Sequence, residues 1–246
     1  MAKRANGFNR TEREGVYKAI FTRRDIRKEF LHLPIPDPLL ARLIRAAHHA
    51  PSVGFMQPWD LVLIRDPVVK EELHRIAEKE RMASACIFEE PRASEFLKLK
   101  VEGLREAPVV ICIAVDPTRG GPHVLGKNSD EDTALYSACC AIQNLWLAAR
   151  AEGIGMGWVT IYKKADLRSV LGLPPHLNPI GLLCLGYVEA FPERPMLESA
   201  GWAKRLSVLT VLHFEKWGKK RDRRWTLLRE EIKETLQKKA EKPDRR

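Results

Sequence analysis

Short, continuous runs of apolar residues recur along the chain, and each run is bounded by Gly, Pro or charged residues. Such runs are typical of strands that are buried on both faces of a sheet. Four of them predict strands, at Leu61–Ile64, Val109–Val115, Trp158–Ile161 and Ile180–Val188. The pattern therefore predicts a sheet that is covered on each side by other elements.

Between these runs, apolar residues recur at helical spacing. A first helix is predicted to begin near Thr11, because Thr11 and Glu14 have the spacing of a capping box. The other predicted helices begin at Asp37, span Lys70–Lys79 and Thr133–Glu152, and run from Asp166 to Gly172. Strands alternating with helices predict one layered domain of the α/β or α+β class.

The stretch 81–106 is harder to interpret, because it mixes apolar residues with many charges and contains a break at Pro91. Broken helices above a site often act as lids. A peripheral helical hairpin is the alternative, and the pattern alone does not separate the two.

Composition narrows the class of protein. The hydrophobic share of 45% is ordinary for a globular protein, and no run of 18 apolar residues predicts a membrane span. The N-terminal residues lack the apolar core of a signal peptide. The five cysteines show no metal-ligand spacing, so we expect reduced thiols, no metal site and a cytoplasmic protein.

Positive charge is concentrated at the C-terminal end. The net charge is +10, and residues 216–246 carry 13 Lys/Arg against 6 Asp/Glu. Trp225, Leu228, Ile232 and Leu236 recur there at helical spacing, which predicts a basic amphipathic helix. Such a helix can contact nucleic acid, a membrane surface or a partner subunit. We expect a solvated helix that packs along the protein or its dimer mate and no nucleic-acid contact, because no nucleic-acid-binding motif accompanies it.

The segment Pro51–Trp59, with the sequence Pro-Ser-Val-Gly-Phe-Met-Gln-Pro-Trp, carries candidate chemistry at a predicted helix–strand junction. Ser52 and Gln57 offer hydrogen bonds to a planar heterocycle, and two aromatic residues offer apolar faces. Functional residues concentrate on loops held by a rigid scaffold. The plain alternative is a turn in which Pro and Gly set only the backbone geometry.

A second candidate segment, Arg-Arg-Asp-Ile-Arg at residues 23–27, follows the first predicted helix. Arg23, Arg24 and Arg27 form a candidate phosphate site, because guanidinium groups bind phosphate in a planar, bidentate way. A solvated basic helix end is the alternative. That alternative leaves Asp25 unexplained, although a plain ion pair between Asp25 and Arg27 is also possible.

These two segments together resemble the nitroreductase-like FMN flavoprotein family. Within it, the chain most resembles the 5,6-dimethylbenzimidazole synthase branch, the BluB proteins. Further matching segments follow in the same order, at residues 116–121, 141–153, 155–160 and 201–205. The match runs from about Glu12 to about Gly218. We therefore expect a flavin domain over 1–218 and a basic helical extension over 219–246.

The resemblance implies an α+β, three-layer fold with a central, mostly antiparallel sheet and helices on both sides. It also implies a homodimer that binds FMN between its subunits. The residues expected at the FMN phosphate and ribityl end are Arg23, Arg24, Asp25, Ile26, Arg27 and Arg205. Those expected along the flavin ring are Ser52, Met56, Gln57, Gly157, Trp158 and Thr160.

The branch resemblance implies a specific reaction, in which reduced FMN is consumed as a substrate with O2. The products are 5,6-dimethylbenzimidazole, the lower ligand of cobalamin, and erythrose 4-phosphate. Asp25 would be the catalytic base at the ribityl C1′, and Thr160 the second catalytic residue. Thr160 departs from the Ser of the branch, because Thr keeps the hydroxyl group and adds a methyl group that restricts χ1.

Two other functions remain open on the sequence. One is an FMN-dependent nitroreductase or flavin reductase that uses NAD(P)H. Met56 argues against it, since many such enzymes carry Asn there and a thioether hardly hydrogen-bonds the flavin edge. The other is a non-enzymatic FMN-storing or nucleic-acid-associated protein that works through its basic tail. The sequence does not say whether the protein reduces FMN itself with NAD(P)H or depends on a separate flavin reductase.

Overall fold

The computed structural model describes residues 7–241, with side chains described through residue 235. The chain divides into two compact units, Met1–Met196 and Leu197–Arg246. In the described residues, no helix is both long enough and apolar enough to cross a membrane.

The first unit is built on a four-stranded sheet. Its strands are β1 (Trp59–Ile64), β2 (Val109–Val115), β3 (Ile154–Val159) and β4 (Asn178–Tyr187). Their spatial order is β1-β2-β4-β3, and all three neighbouring pairs are antiparallel. The expected α+β fold with a mostly antiparallel sheet is therefore confirmed.

Helices cover both faces of this sheet. They are α1 (Arg10–Thr22), α2 (Asp37–His48), α3 (Pro67–Ala85), α4 (Arg92–Lys98), α5 (Thr133–Ala151) and α6 (Lys164–Leu171). Side chains of β2 alternate between two cores: Ile111 packs with residues of α2 and α5, and Cys112 packs with residues of α3 and α6. Every residue of β2 is buried, as expected for a central strand covered on both faces.

The remaining helices are α7 (Met196–Ser199), α8 (Val208–Val211) and α9 (Thr226–Glu241). The helix predicted for the basic tail is thus present as α9. Trp225 lies in a short 3-10 turn just before it, and Leu236 lies beyond the described side chains. The boundary predicted at residue 218 stays a prediction.

Three helix starts differ from the predictions: α1 begins at Arg10 rather than Thr11, α3 at Pro67 rather than Lys70, and α6 at Lys164 rather than Asp166. The first helix is capped by Asn9, whose side chain accepts a hydrogen bond from Glu12 N at 3.0 Å, while the Glu12 carboxylate accepts one from Asn9 N at 2.8 Å. The box predicted at Thr11 was two residues late. The second helix begins at Asp37 as predicted, but the Asp37 side chain does not cap it and instead forms an ion pair with Arg65 at 2.7 Å.

The third strand also differs from its predicted position, Trp158–Ile161. It begins four residues earlier and includes Gly155 and Gly157, whose residue type is depleted in strands. Both glycines allow a close approach of neighbouring chain: a Cβ on Gly157 would lie 2.2 Å from the Ile26 carbonyl oxygen. This approach brings the Arg-Arg-Asp-Ile-Arg segment directly beside β3.

The stretch 81–106 forms a helical hairpin. The third helix continues to Ala85, α4 follows, and the Phe88 and Phe96 rings pack with their centroids 5.3 Å apart. A role for this hairpin as a lid stays a prediction. The five cysteines are free thiols, and Cys86 and Cys140 are exposed rather than part of a core.

Candidate active site

The segment after α1 continues as extended chain beside β3. Asp25 forms an isolated parallel β-bridge with Met156, and Ile26 N donates a hydrogen bond to Met156 O at 3.1 Å. The Ile26 side chain is fully buried between the sheet and its neighbours. Its burial fixes the segment, so that the flanking Asp25 and Arg27 side chains have defined positions at the edge of the sheet.

Asp25 is held at the end of β3 by two neighbours. Its Oδ1 atom accepts a hydrogen bond from Trp158 N at 3.2 Å, and its Oδ2 atom forms an ion pair with Arg27 Nη2. The Arg27 side chain is 16% exposed and the Asp25 side chain 38%. The carboxylate is therefore fixed in orientation and still accessible from solvent.

Burial raises the pKa of Asp25 above its ordinary value, and this effect exceeds the lowering by Arg27, by the Trp158 N–H and by Arg23. The sequence left open whether burial or the arginines would dominate, and burial does. A carboxylate that is fixed, accessible and raised in pKa has the properties of a general base.

Arg23 and Arg24 are positioned in different ways. The Arg23 guanidinium lies 4.4 Å from the centroid of the Trp146 ring, a cation–π contact. Arg24 donates to Phe21 O at 3.0 Å and to Arg23 O at 2.8 Å, and its other terminal nitrogen donates to Glu193 O. Arg24 thus ties the end of α1 to a later loop, whereas Arg23 lies on an aromatic face.

Two tryptophans support this arginine segment. The Trp146 and Trp158 rings meet edge to face with centroids 6.5 Å apart, and Trp146 Nε1 donates to Arg24 O at 3.3 Å. Sequence reasoning placed Trp146 in the predicted helix Thr133–Glu152 and in the matching segment 141–153, but gave it no role. Its indole N–H was the available signal, because a buried tryptophan usually has a hydrogen-bond partner.

The candidate segment Pro51–Trp59 forms a tight loop with unusual backbone geometry. Gly54, Phe55 and Gln57 have φ values of 50°, 56° and 49°. Phe55 and Gln57 are non-glycine residues in the left-handed region. This backbone conformation costs on the order of 1–3 kcal/mol per residue and persists only where the surrounding structure imposes it. The Phe55 side chain is exposed, and Ser52 Oγ accepts a hydrogen bond from Gln57 N at 3.1 Å.

Arg119 holds this loop in place. Its Nη1 atom donates to Gln57 O at 3.0 Å and to Trp59 O at 2.9 Å, and its Nη2 atom bonds both Asp60 carboxylate oxygens at 2.7 and 2.6 Å. Sequence reasoning noted residues 116–121 as a matching segment but gave Arg119 no role. A lone Arg in a Gly-rich loop carried no signal for a partner about sixty residues away.

His48 also supports the loop. Trp59 Nε1 donates a hydrogen bond to His48 Nδ1 at 3.2 Å, and the two rings meet edge to face. This bond requires an unprotonated Nδ1, so the other ring nitrogen carries the proton of the neutral form. The neighbouring His49 bonds the backbone at Arg45 O instead.

The remaining predicted site residues differ in their surroundings. Met56 is buried in the core shared with α2 and α5. Thr160 follows the last residue of β3 and is exposed, and its hydroxyl group has no hydrogen-bond partner within residues 7–235. It is not a strand residue, which removes strand propensity as the reason for a Thr there. Arg205 lies in the second unit, between α7 and α8.

The predicted residues thus form two groups in one chain. Asp25, Ile26, Arg27, Gly157 and Trp158 contact one another at the end of β3. Ser52, Met56 and Gln57 form the second group in the Arg119-held loop. Among the described residues, no hydrogen bond or ion pair joins Asp25, Arg27 or Trp158 to this second group.

The fold and the sequence pattern together identify the family. Residues 20–187, more than half of the chain, match the nitroreductase family. The chain belongs to the nitroreductase family.

Within the nitroreductase family, a named relative has a defined activity. The chain is 34% identical over 198 residues to a 5,6-dimethylbenzimidazole synthase of Rhodospirillum rubrum, across 80% of this chain and 93% of the relative. The similarity to named synthases shows that the chain is an enzyme, an oxidoreductase of the 5,6-dimethylbenzimidazole synthase kind. The predicted resemblance to the 5,6-dimethylbenzimidazole synthase branch is confirmed.

Solved structures share the nitroreductase-family fold. A BluB-like flavoprotein from Clostridium difficile 630 has a TM-score of 0.61 at 21% identity, covering 85% of this chain and all of that chain. Oxidized iodotyrosine deiodinase bound to FMN and 3-iodo-L-tyrosine also has a TM-score of 0.61, at 20% identity, covering 73% of this chain and 94% of that one.

Proposed function

We propose that this protein catalyses the oxygen-dependent fragmentation of reduced FMN to 5,6-dimethylbenzimidazole and erythrose 4-phosphate. The observation that carries the proposal is Asp25, an oriented carboxylate of raised pKa at the end of β3. The similarity to a named synthase over most of both chains supports the same reaction.

The residues present fit a flavin mononucleotide. Arg23 and Arg27 supply guanidinium groups for its phosphate and ribityl end, and both are partly buried, so their charges are weakly screened. Arg24 is engaged by backbone carbonyls, which gives it a supporting role. Ser52 and Gln57 offer polar groups to the ring. Arg205 is proposed as a further phosphate contact.

When bound, reduced FMN supplies the ring that reacts with O2 and is cleaved. In this proposal, Asp25 accepts a proton from the ribityl C1′. The Trp158 N–H and the Arg27 guanidinium keep one carboxylate oxygen each in place, so that the proton acceptor keeps a constant position. Thr160, exposed directly after β3, can donate its hydroxyl hydrogen to an oxygen atom at the ring.

We further propose a homodimer whose second copy completes each site. Among the described residues, no hydrogen bond or ion pair joins Asp25, Arg27 or Trp158 to Ser52, Met56 or Gln57, and an apolar face of the first unit supports a partner. Val16, Tyr17, Ile20 and Phe21 of α1 are exposed. Contiguous exposed apolar surface of this kind marks an interaction site. Beside it, a cavity of about 540 Å³ lies between α1 and the end of α5.

Product analysis tests the reaction. The protein is mixed with reduced FMN under anaerobic conditions and then exposed to air, and dimethylbenzimidazole is measured by mass spectrometry. Formation of the base by wild type but not by Asp25→Asn supports the proposal. Recovery of intact oxidised FMN, together with NAD(P)H-dependent reduction of a nitro compound, would instead indicate the ordinary nitroreductase reaction.

A second assay addresses the source of electrons. Oxidised FMN and NADH or NADPH replace reduced FMN in the same reaction. Product formation under these conditions means that the protein reduces FMN itself. Product formation only after a flavin reductase is added means that it depends on a separate enzyme.

A further inference from the structure

The second unit contains an open cavity of about 440 Å³ that lies outside the family match. Its charged lining residues are Arg221, Arg223, Arg229, Lys233, Asp222 and Glu230, and Thr226 at the start of α9 completes it. Four cations and two carboxylates give this lining a net charge of +2.

The two carboxylates are already paired. Asp222 accepts hydrogen bonds from Lys219 and from Arg224, and these bonds hold its pKa well below its ordinary value. Glu230 accepts from Lys233 at 2.8 and 3.0 Å, and its pKa is lowered by that contact and, to a smaller extent, by the charges of Arg229 and Arg221. Both acids are therefore ionised, and each has a cationic partner.

The three arginines of the cavity lining differ from Lys233, which pairs with Glu230. Within residues 7–235, Arg221, Arg223 and Arg229 form no ion pair within 4.0 Å. Three guanidinium groups around one cavity are the groups that proteins use to bind phosphate in a bidentate manner.

We propose that this cavity binds the phosphate monoester group of a small molecule. A phosphate monoester carries a charge of about −1.5 to −2 at neutral pH, which matches the net charge of the lining. A single-stranded polynucleotide would require a continuous positive groove. The helix α9 does not provide one, because Glu230, Glu231 and Glu234 are interspersed among its basic residues. The same mixed charges argue against an anionic membrane surface.

This phosphate site is independent of the proposed flavin reaction. The test distinguishes failure of one proposal from failure of the other. Binding of inorganic phosphate is measured by calorimetry on the full chain loaded with one equivalent of FMN, which occupies the proposed flavin site, for wild type, for Arg223→Gln/Arg229→Gln and for Lys204→Gln/Lys216→Gln. The last variant removes the same charge from exposed lysines of the second unit that do not line the cavity. FMN binding and product formation are measured for all three proteins.

We expect the arginine variant to bind phosphate about 10-fold or more weakly, the effect of losing charge-assisted hydrogen bonds, and to keep wild-type FMN affinity. The lysine variant should bind phosphate as wild type does. Equal weakening in both variants, or an unchanged affinity in the arginine variant, overturns the proposal. A single-stranded oligonucleotide, or vesicles of anionic lipid, could also bind wild type more tightly than phosphate does. If that binding is lost in the arginine variant, the proposal is overturned as well.

Discussion

At the scale of single residues, the chemistry of Asp25 depends on a balance of opposing effects. Burial raises its pKa, and Arg27, the Trp158 N–H and Arg23 lower it. The residue order along the chain allowed an Asp25–Arg27 pair as one alternative, but it did not predict the hydrogen bond from Trp158 N to Asp25. The balance depends on how closely β3 approaches the segment, and no local pattern encodes that distance. The direction of the Asp25 pKa shift therefore follows from the folded structure and not from the sequence pattern.

The first prediction concerns the chemical role of Asp25. Asp25→Asn keeps the shape and a hydrogen-bond acceptor for Trp158 N, but it cannot take up a proton. We expect near-normal FMN affinity and a fall in product formation of about 10²–10⁴-fold, the usual contribution of a general base. Flavin fluorescence titration and single-turnover product yield measure the two effects. Wild-type turnover in the variant would mean that Asp25 is structural.

The second prediction follows from the direction of the pKa shift. Because the folded pKa of Asp25 is raised, the folded state binds its proton more tightly than the unfolded state does. Between the ordinary value of 3.8 and the raised value, wild-type stability falls as pH rises. Asp25→Asn has no such titration, so the free energy of unfolding of the variant relative to wild type should increase across this window. Urea unfolding at several pH values measures it, and a decrease would mean that the Arg27 ion pair dominates.

The third prediction concerns Thr160, where no strand or hydrogen bond within the described chain explains the residue. Thr160→Ser keeps the hydroxyl group and removes one methyl group, so product yield per reduced FMN should stay or improve. Thr160→Val keeps the shape and deletes the hydroxyl group, so a bonded partner would lose its donor and the yield should fall. Wild-type yield in the Val variant would show that the hydroxyl group takes no part.

At the scale of elements, the sequence predicted the central strands well and the edge of the sheet less well. The apolar runs predicted nearly the observed bounds of β2 and β4, because all residues of β2 and all but the two end residues of β4 are buried. The strand β3 was misplaced because Gly155 and Gly157 read as a break. Their absence of side chains is what allows Asp25 and Ile26 to approach. The site thus lies where local propensity and tertiary packing disagree.

The fourth prediction tests that close approach. In Gly157→Ala the new Cβ would lie 2.2 Å from Ile26 O and 3.3 Å from Asp25 Oδ1. The nearest atom belongs to backbone, so the segment must shift, and we expect a loss of about 1–3 kcal/mol or more in the free energy of unfolding. FMN affinity should fall as well, because Arg27 moves with the segment. An unchanged urea midpoint would show that the contact relaxes at little cost.

At the scale of the whole molecule, the sequence could not indicate how the two groups of predicted site residues are connected within one chain. The Arg119-held loop and the Asp25 group are each internally bonded, yet no described hydrogen bond connects Asp25, Arg27 or Trp158 to Ser52, Met56 or Gln57. A pattern of apolar residues also cannot distinguish a face buried within a chain from one buried by a second copy. The apolar side predicted for the first helix is, in the single chain, largely exposed.

The last prediction tests whether this face joins two copies. Tyr17→Glu/Phe21→Glu places two carboxylates on stacked rings of α1, where a partner would have to desolvate them. We expect a monomer by light scattering, and weaker FMN binding because the second copy no longer completes the site. Val68→Glu is the control, since Val68 is an exposed apolar residue at the start of α3, away from α1. The control should stay dimeric.

Two outcomes would contradict this prediction. A wild-type protein that is monomeric and still binds FMN tightly would contradict the shared site. A double variant that remains dimeric would move the interface to another face.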